Sequence, residues 1–504
     1  MHSKGGDYHG QAPGRWWALI ALNLAVLAGG IDGTVLSVAL PTLAGALRAT
    51  ETDLQWFTSG YLLVMAAAML PAGLLGDRFG RKKVMLISLA LFAAGSAACA
   101  LAPNPGAFIA ARVVLGAACA GLVVMALAAL SVLFDDAERP RAVGVWAGAN
   151  FLGLPVGPLL GGWLLTHYWW GWVFLLNVPI ALAGLLATIF LLPESRAAER
   201  PGLDFGGILL SIAGLALVTY GLVSAGENGW TSPTTLGGIA GGLLLLAAFG
   251  WLESRLARPL IDLALFRVPA FTWGVGLAAI GVLAMVGVLF TMPQYFQAVA
   301  GTDAMGSGVR LLPLIAGLLV GALPADRLAA RVGPKVTVAA GFLVLGAALL
   351  VGARTGVDSS PWFVAAWMAG VGLGMGMALS TAASGALAVL PEGRSGVGAA
   401  VMQALQKLGG PFGSAVLGSV LASVYRAHVA GAAQASVFAG LAVAARSHSP
   451  ELLASVRAAF VDGMDVALLV SAAIAMAGML LAVAFVPGRV AVVARHEEPV
   501  ALGS

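Results

Sequence analysis

Long apolar runs, one after another, constrain this chain more than anything else in its sequence. Fourteen can be marked out: 16–40, 54–75, 84–101, 107–134, 142–165, 172–192, 205–225, 236–252, 271–295, 306–323, 336–351, 362–390, 396–420 and 466–486. A helix of about 20 apolar residues crosses the hydrocarbon core of a bilayer. Lipid offers no partner to a backbone N–H or C=O, so only helices and closed barrels can span it. No run shows the alternating pattern of a barrel strand. The expected fold class is all-α integral membrane with fourteen spans. Only 10% of the 504 residues are charged, against about 25% in soluble proteins. That excludes a soluble globular chain, a disordered one and a nucleic-acid binder.

The few charges orient the spans. With the N-terminus inside, nineteen of the 27 Lys and Arg fall on the cytoplasmic side, six fall outside, and two, Arg112 and Lys407, lie within spans. This is the positive-inside asymmetry of a multi-pass protein of the cytoplasmic membrane with both termini cytoplasmic. Residues 1–14 are polar and lack the layout of a cleaved signal peptide. Heavy use of Ala and Gly fits a bacterial source.

The chain also repeats itself. Gly76-Asp77-Arg78-Phe79-Gly80-Arg81-Lys82-Lys83 follows the second span, and Ala325-Asp326-Arg327-Leu328 with Gly333-Pro334-Lys335 follows the tenth. The two are equivalent if spans 7 and 8 are an insert. The expected organisation is a cytoplasmic N-terminus at 1–15, a six-helix bundle at 16–192, and a linker with two inserted helices at 193–268. A second six-helix bundle at 269–487 and a cytoplasmic C-terminus at 488–504 complete it. Repeated halves around a central site mark secondary transporters. The outer loop 422–465 contains Ser449-Pro450-Glu451, an N-cap followed by Pro at the first helical position. Leu452, Leu453, Val456, Phe460 and Val461 then recur at helical spacing. A short amphipathic helix over the outer mouth is expected there.

Polar residues inside spans are the functional candidates. Asp32 is the one acid placed deep within a span, where a charge costs at least about 2.5 kcal/mol. Such a group suits proton loading and release, and Arg112 in the fourth span is its expected partner. Lys407 lies well inside the thirteenth span beside Gln403 and Gln406; it either lines a cavity or makes a structural contact. If it lines the cavity, its charge favours neutral, zwitterionic or anionic cargo over multivalent cations. Trp56, Tyr61, Asn150, Phe290 and Gln294 are further cavity candidates, and methionines such as Met285 supply a surface able to re-pack around varied ligands. Cys99 and Cys119 have no metal or redox spacing and read as small core residues.

Several of these segments resemble one family. Asp77-Arg78-Phe79-Gly80-Arg81-Lys82 resembles the loop signature of the major facilitator superfamily. Gly148, Gly153, Pro155, Gly157-Pro158 and Gly161-Gly162 in the fifth span resemble its antiporter signature. Asp32-Gly33-Thr34-Val35 and Val38-Ala39-Leu40-Pro41 are similar to the first-helix motif of the fourteen-helix drug:proton antiporters. Gln55-Trp56, Thr58, Tyr61, Trp170, Trp172, Phe174, Asn177 and Pro179 match that branch too. Ser37, Leu115 and Gly171 depart from it, standing where the family usually has Asn, Gln and Arg. The resemblance implies two six-helix bundles plus two extra central helices. It implies a gating loop at Gly76, Asp77, Arg78, Gly80 and Arg81, a sealing hinge in the fifth span, and proton coupling through Asp32 and Arg112.

The function so implied is proton-coupled antiport, exporting lipophilic small molecules such as drugs, antibiotics or natural products by alternating access. Rival readings are a dedicated exporter of one endogenous metabolite or antibiotic, or a lipid or uniport transporter on the same fold. No His-Glu-x-x-His, Gly-x-Ser-x-Gly, metal-spaced His cluster or Walker sequence occurs. No enzymatic activity, metal, cofactor or nucleic-acid partner is therefore expected; the partners are protons, a small-molecule substrate and the bilayer, and the working unit is a monomer.

Overall fold

The computed structural model describes residues 15–134, 138–196, 204–256, 261, 263–389 and 395–486. Within them the chain is helical and has no strand. The spanning helices are α1 Arg15–Leu47, α2 Glu51–Phe79, α3 Arg81–Ala100, α4 Pro105–Leu133, α5 Arg139–His167, α6 Trp172–Leu191 and α7 Phe205–Asn228. They continue as α8 Pro233–Glu253, α9 Pro269–Val299, α10 Ala304–Ala322, α11 Pro334–Gly352, α12 Pro361–Ala388, α13 Ser395–His428 and α14 Pro450–Phe485. The protein is thus a fourteen-helix multi-pass membrane protein.

The internal repeat is visible in the packing. In the first half α1 packs on α5 and α6, α4 on α2 and α3, and α3 on α6. In the second half α9 packs on α13 and α14, α12 on α10 and α11, and α11 on α14. Adding eight to each number of the first set gives the second. Two seams join the halves, α2 with α13 and α5 with α10, and the same operation exchanges them. The inserted helices α7 and α8 form a hairpin, and α7 leans on both α2 and α13.

The turns repeat as well. Gly80 (φ +119°) ends α2 and starts α3, and Gly333 (φ +91°) does the same before α11. Both occupy backbone conformations that side chains with a Cβ rarely adopt. The loop-signature side of the molecule is called here the signature side, and the side carrying 422–465 the opposite side.

On the opposite side the structure corrects the sequence reading. No separate amphipathic helix follows Ser449. Residues 450–465 are the first turns of α14 itself, a continuous 36-residue helix capped by the Ser449 side chain. Val456, Phe460, Val461 and Met464 are buried there, so tertiary packing extends the helix beyond the apolar span. A different segment, Val437–Ser447, forms the short helix, capped by Ser436. It packs on α14 and α1, and its Phe438 touches the apolar cores of both halves. Tyr425, on the extended end of α13, ties this segment down by donating to the carbonyls of Ala433 (2.9 Å) and Ser436 (3.2 Å).

Two further acids lie where helices outrun their apolar runs. α2 begins three residues earlier than expected, and its first residue, Glu51, is buried. Asp465 lies inside α14. Charge at the flank of an apolar run was read as a boundary, and the helices continue through it.

Candidate functional site

Four helices of the first half converge on one charged cluster. α1 brings Asp32, α4 brings Arg112, α6 brings Asn177 and α2 brings Phe57 and Tyr61. Arg112 Nη1 donates to Asp32 Oδ2 at 2.6 Å, and Asn177 Nδ2 donates to Asp32 Oδ1 at 3.2 Å. Arg112 Nε donates to the Phe57 carbonyl at 3.2 Å, and the guanidinium lies 4.0 Å from the Tyr61 ring centroid. Asp32 and Arg112 are 0% and 1% exposed. A buried ion pair offsets its desolvation only when its remaining hydrogen-bonding groups are also served; here both carboxylate oxygens are. Removing one partner of such a pair costs about 3–5 kcal/mol. The sequence located Asp32 and Arg112. It matched Asn177 to a motif without giving it this role, since nothing local shows that α6 turns the amide toward α1.

The opposite-side ends of the halves are closed on each other. Ser59 and Ser414 share a hydrogen bond at 2.7 Å, and Ser419 Oγ donates to Gln55 Oε1 at 3.2 Å, both across α2 and α13. Gln294 Nε2 on α9 contacts Glu51 Oε1 at 3.4 Å, and Gln297 Nε2 donates to the Val38 carbonyl at 3.0 Å. The second seam has another character. A Cβ on Gly162 of α5 would lie 2.7 Å from the Ala304 carbonyl oxygen and 2.7 Å from the Met305 Cα, and one on Gly308 of α10 would run into the Pro158 carbonyl. Glu51 escaped the sequence reading, although Thr50 and Asp53 form a capping box that marks a helix start at Glu51.

The fifth-helix glycines divide between two neighbours. Gly153, Gly157 and Gly161 face α1, where a Cβ on Gly153 would sit 3.0 Å from the Gly30 carbonyl carbon. Thr34 Oγ1 on α1 donates to the Gly153 carbonyl at 3.0 Å. Gly162 and Pro158 face α10 of the other half, and Gly148 has nothing within 4 Å. Pro155 and Pro158 stand inside the helix. The signature loop likewise makes its described contacts within its own half. Arg81 pairs with Asp77 at 3.0 Å, Lys82 Nζ donates to the Ile189 carbonyl at 2.7 Å, and Lys82 N donates to Glu194 Oε1 at 3.3 Å. Gly76 is packed against Met125, and Arg78 lies beside the Phe79 ring.

The sequence profile of the Major Facilitator Superfamily matches residues 22–414. The chain belongs to the Major Facilitator Superfamily. Its relatives include the Tetracenomycin C resistance and export protein of Streptomyces glaucescens, 34% identical over 81% of this chain and 76% of that protein. Multidrug efflux pump LfrA of Mycolicibacterium smegmatis is 32% identical over 92% of this chain and 96% of its own. Among solved structures, a bacterial homolog of the human lysosomal transporter Spinster has a TM-score of 0.68 at 16% identity, covering 95% of this chain and 99% of that one. The D-xylose-proton symporter gives 0.62 at 15% identity, covering 94% and 98%. These structures share the fold.

Seen as a major facilitator, the chain distributes its cavity candidates unevenly. Tyr61, Phe290 and Gln294 are sealed within the packed interior: Tyr61 against Arg112, Phe290 in the core of the first half, Gln294 at the seam. Trp56, Gln403 and Lys407 are half-buried. The side chain of Asn150 lies outside the described residues. An apolar crevice lies between the halves, lined by Thr34, Leu154, Pro158, Met285, Leu289 and Leu314. Cys99 and Cys119 are free and buried.

Proposed function

We propose that this major facilitator exports lipophilic small molecules from the cytoplasm in exchange for protons. The observation that carries the reading is the buried Asp32–Arg112–Asn177 cluster. Asp32 is the one carboxylate at this cluster, and protonating it removes the charge that Arg112 and Asn177 hold. Arg112 then loses its counter-ion in a dry interior, where an uncompensated charge is costly. The cluster therefore favours different helix packings in its two protonation states, which is what coupling a proton to alternating access requires. The crevice between the halves is lined with apolar side chains, the surface a lipophilic cargo would meet as the halves part. Relatives bearing multidrug-efflux and antibiotic-export names support the direction of transport.

The proton gradient supplies the energy, with no cofactor and no bond chemistry. The signature side faces the cytoplasm of a bacterial cell with both termini inside, and the protein works as a monomer. Everted membrane vesicles test this. Across a panel of lipophilic anionic, neutral and cationic dyes, they are expected to accumulate at least one when energised, to stop when a protonophore collapses the gradient, and to fall to background with Asp32→Asn at normal membrane abundance. Gradient-driven accumulation by Asp32→Asn at the wild-type rate would overturn proton coupling through this residue.

A further inference from the structure

On α13 of the second half, Lys407 makes no hydrogen bond and no ion pair among the described residues. Lys407 lies on the stripe of α13 that, one, two and three turns further along, faces α2. A Cβ on Gly410 would meet Leu62, Ser414 bonds Ser59, and a Cβ on Gly418 would meet Gln55. Helical spacing therefore turns Lys407 toward the interior between the halves, and its depth in the 34-residue α13 keeps it from reaching either water surface along lipid.

Residues further along this stripe are sealed, while Lys407 stays half-buried. Asp32, the acid of the buried cluster, is already occupied by Arg112 and Asn177. Gln403 is one turn away on the same stripe. Gln406 leans toward α9, the side on which Gly409 and Gly413 lie against the α9 backbone. Both amides are half-buried and also without a hydrogen bond among the described residues.

We propose that Lys407, flanked by Gln403 and Gln406, binds an organic oxyanion, a carboxylate or phenolate, carried on an apolar cargo. An ammonium and two amides supply charge-assisted donors of the kind an oxyanion needs. A bound anion also provides the ammonium with a counter-charge that no described residue supplies. An apolar cargo body would extend along α9 toward the apolar side chains of Met285 and Leu289, about two helical turns beyond Ala279, which lies against Gly409. This rests on the exporter reading for the word cargo, but not for the binding itself. A pocket so charged discriminates against dications, because no unpaired carboxylate stands beside it.

The test uses the full-length protein in lipid nanodiscs and a matched pair of probes, 2-naphthoate and its methyl ester, read by quenching of tryptophan fluorescence against empty nanodiscs. Wild type is expected to prefer the acid. Lys407→Gln is expected to weaken the acid about tenfold or more, the worth of a charged hydrogen bond, and to leave the ester within about twofold. Lys407→Arg keeps the charge and is expected to stay near wild type. The proposal fails if wild type shows no preference for the acid, if Lys407→Gln weakens both probes equally, or if Lys407→Arg is as weak as Lys407→Gln. Should Lys407→Gln not fold, the wild-type preference and the Arg variant still decide. No gradient enters the measurement, so acid preference without gradient-driven export of any dye in the panel overturns the exporter reading and spares this one, and the reverse result does the opposite.

Discussion

The two seams between the halves are related by the internal repeat, yet they close by different physics. Where α2 meets α13, side-chain hydrogen bonds, Ser59 with Ser414 and Ser419 with Gln55, join side chains packed over Gly410 and Gly418. Where α5 meets α10 the contact is made by the absence of side chains, with Gly162 and Gly308 letting backbone approach backbone. A hydrogen-bonded seam is directional and fixes register, while a glycine seam depends on shape and tolerates no added volume. The same fold operation has thus been satisfied once by polarity and once by closeness.

The largest effect should come from the glycine seam. Gly162→Leu places atoms where Ala304 and Met305 stand; overpacking of this kind costs about 1–3 kcal/mol, and that cost falls on the closed seam alone. Spin labels at the opposite-side ends of α5 and α10 should show the distance distribution shifting to longer values. Gly148→Ala, with open space around it, should leave the distribution as it is. If both variants behave alike, close packing is not what shuts this seam. The polar seam should respond less. Ser59→Ala and Ser414→Ala should each cost about 1 kcal/mol of closed-state stability, and the double variant no more than either single one, because both partners of the bond are then gone. Labels on α2 and α13 read this; strictly additive losses would sink the idea that the two hydroxyls act as a pair. The smallest effect belongs to Asp77→Asn. Its partner Arg81 is one turn away on a partly exposed surface, so about 0.3–0.5 kcal/mol of local stability is at stake, and neither distance distribution should move. A clear shift in either would show that the signature loop reaches across the halves after all.

The spans, their number and the six-two-six order were legible in the sequence because lipid leaves the backbone so few options. The long-range joins were legible only in part. Asp32 and Arg112 announce themselves, since a charge in a span demands a partner. Gln55, Ser59, Ser414 and Ser419 do not, because a hydroxyl in a helix can bond its own backbone, as Ser414 also does with Gly410. The helices that outrun their apolar runs, α2 at Glu51 and α14 at Pro450, were hidden by charge at their ends. Charge there ends the contact with lipid and leaves the helix free to go on. Gly148 and Gly162 look alike in a motif; only the fold shows that one touches nothing and the other the opposite half.

The α7–α8 hairpin has a consequence of another sort. The Ser419 hydroxyl of α13 shares its one proton between Gln55 and the Leu222 carbonyl of α7, Arg426 donates to the Gly226 carbonyl, and α7 also leans on α2, so the hydrogen-bonded seam is sheathed. No comparable helix covers the glycine seam among the described residues. One flank of the transporter is thus open to the acyl chains of the bilayer at its inter-half seam, while the other presents a helical hairpin to them instead.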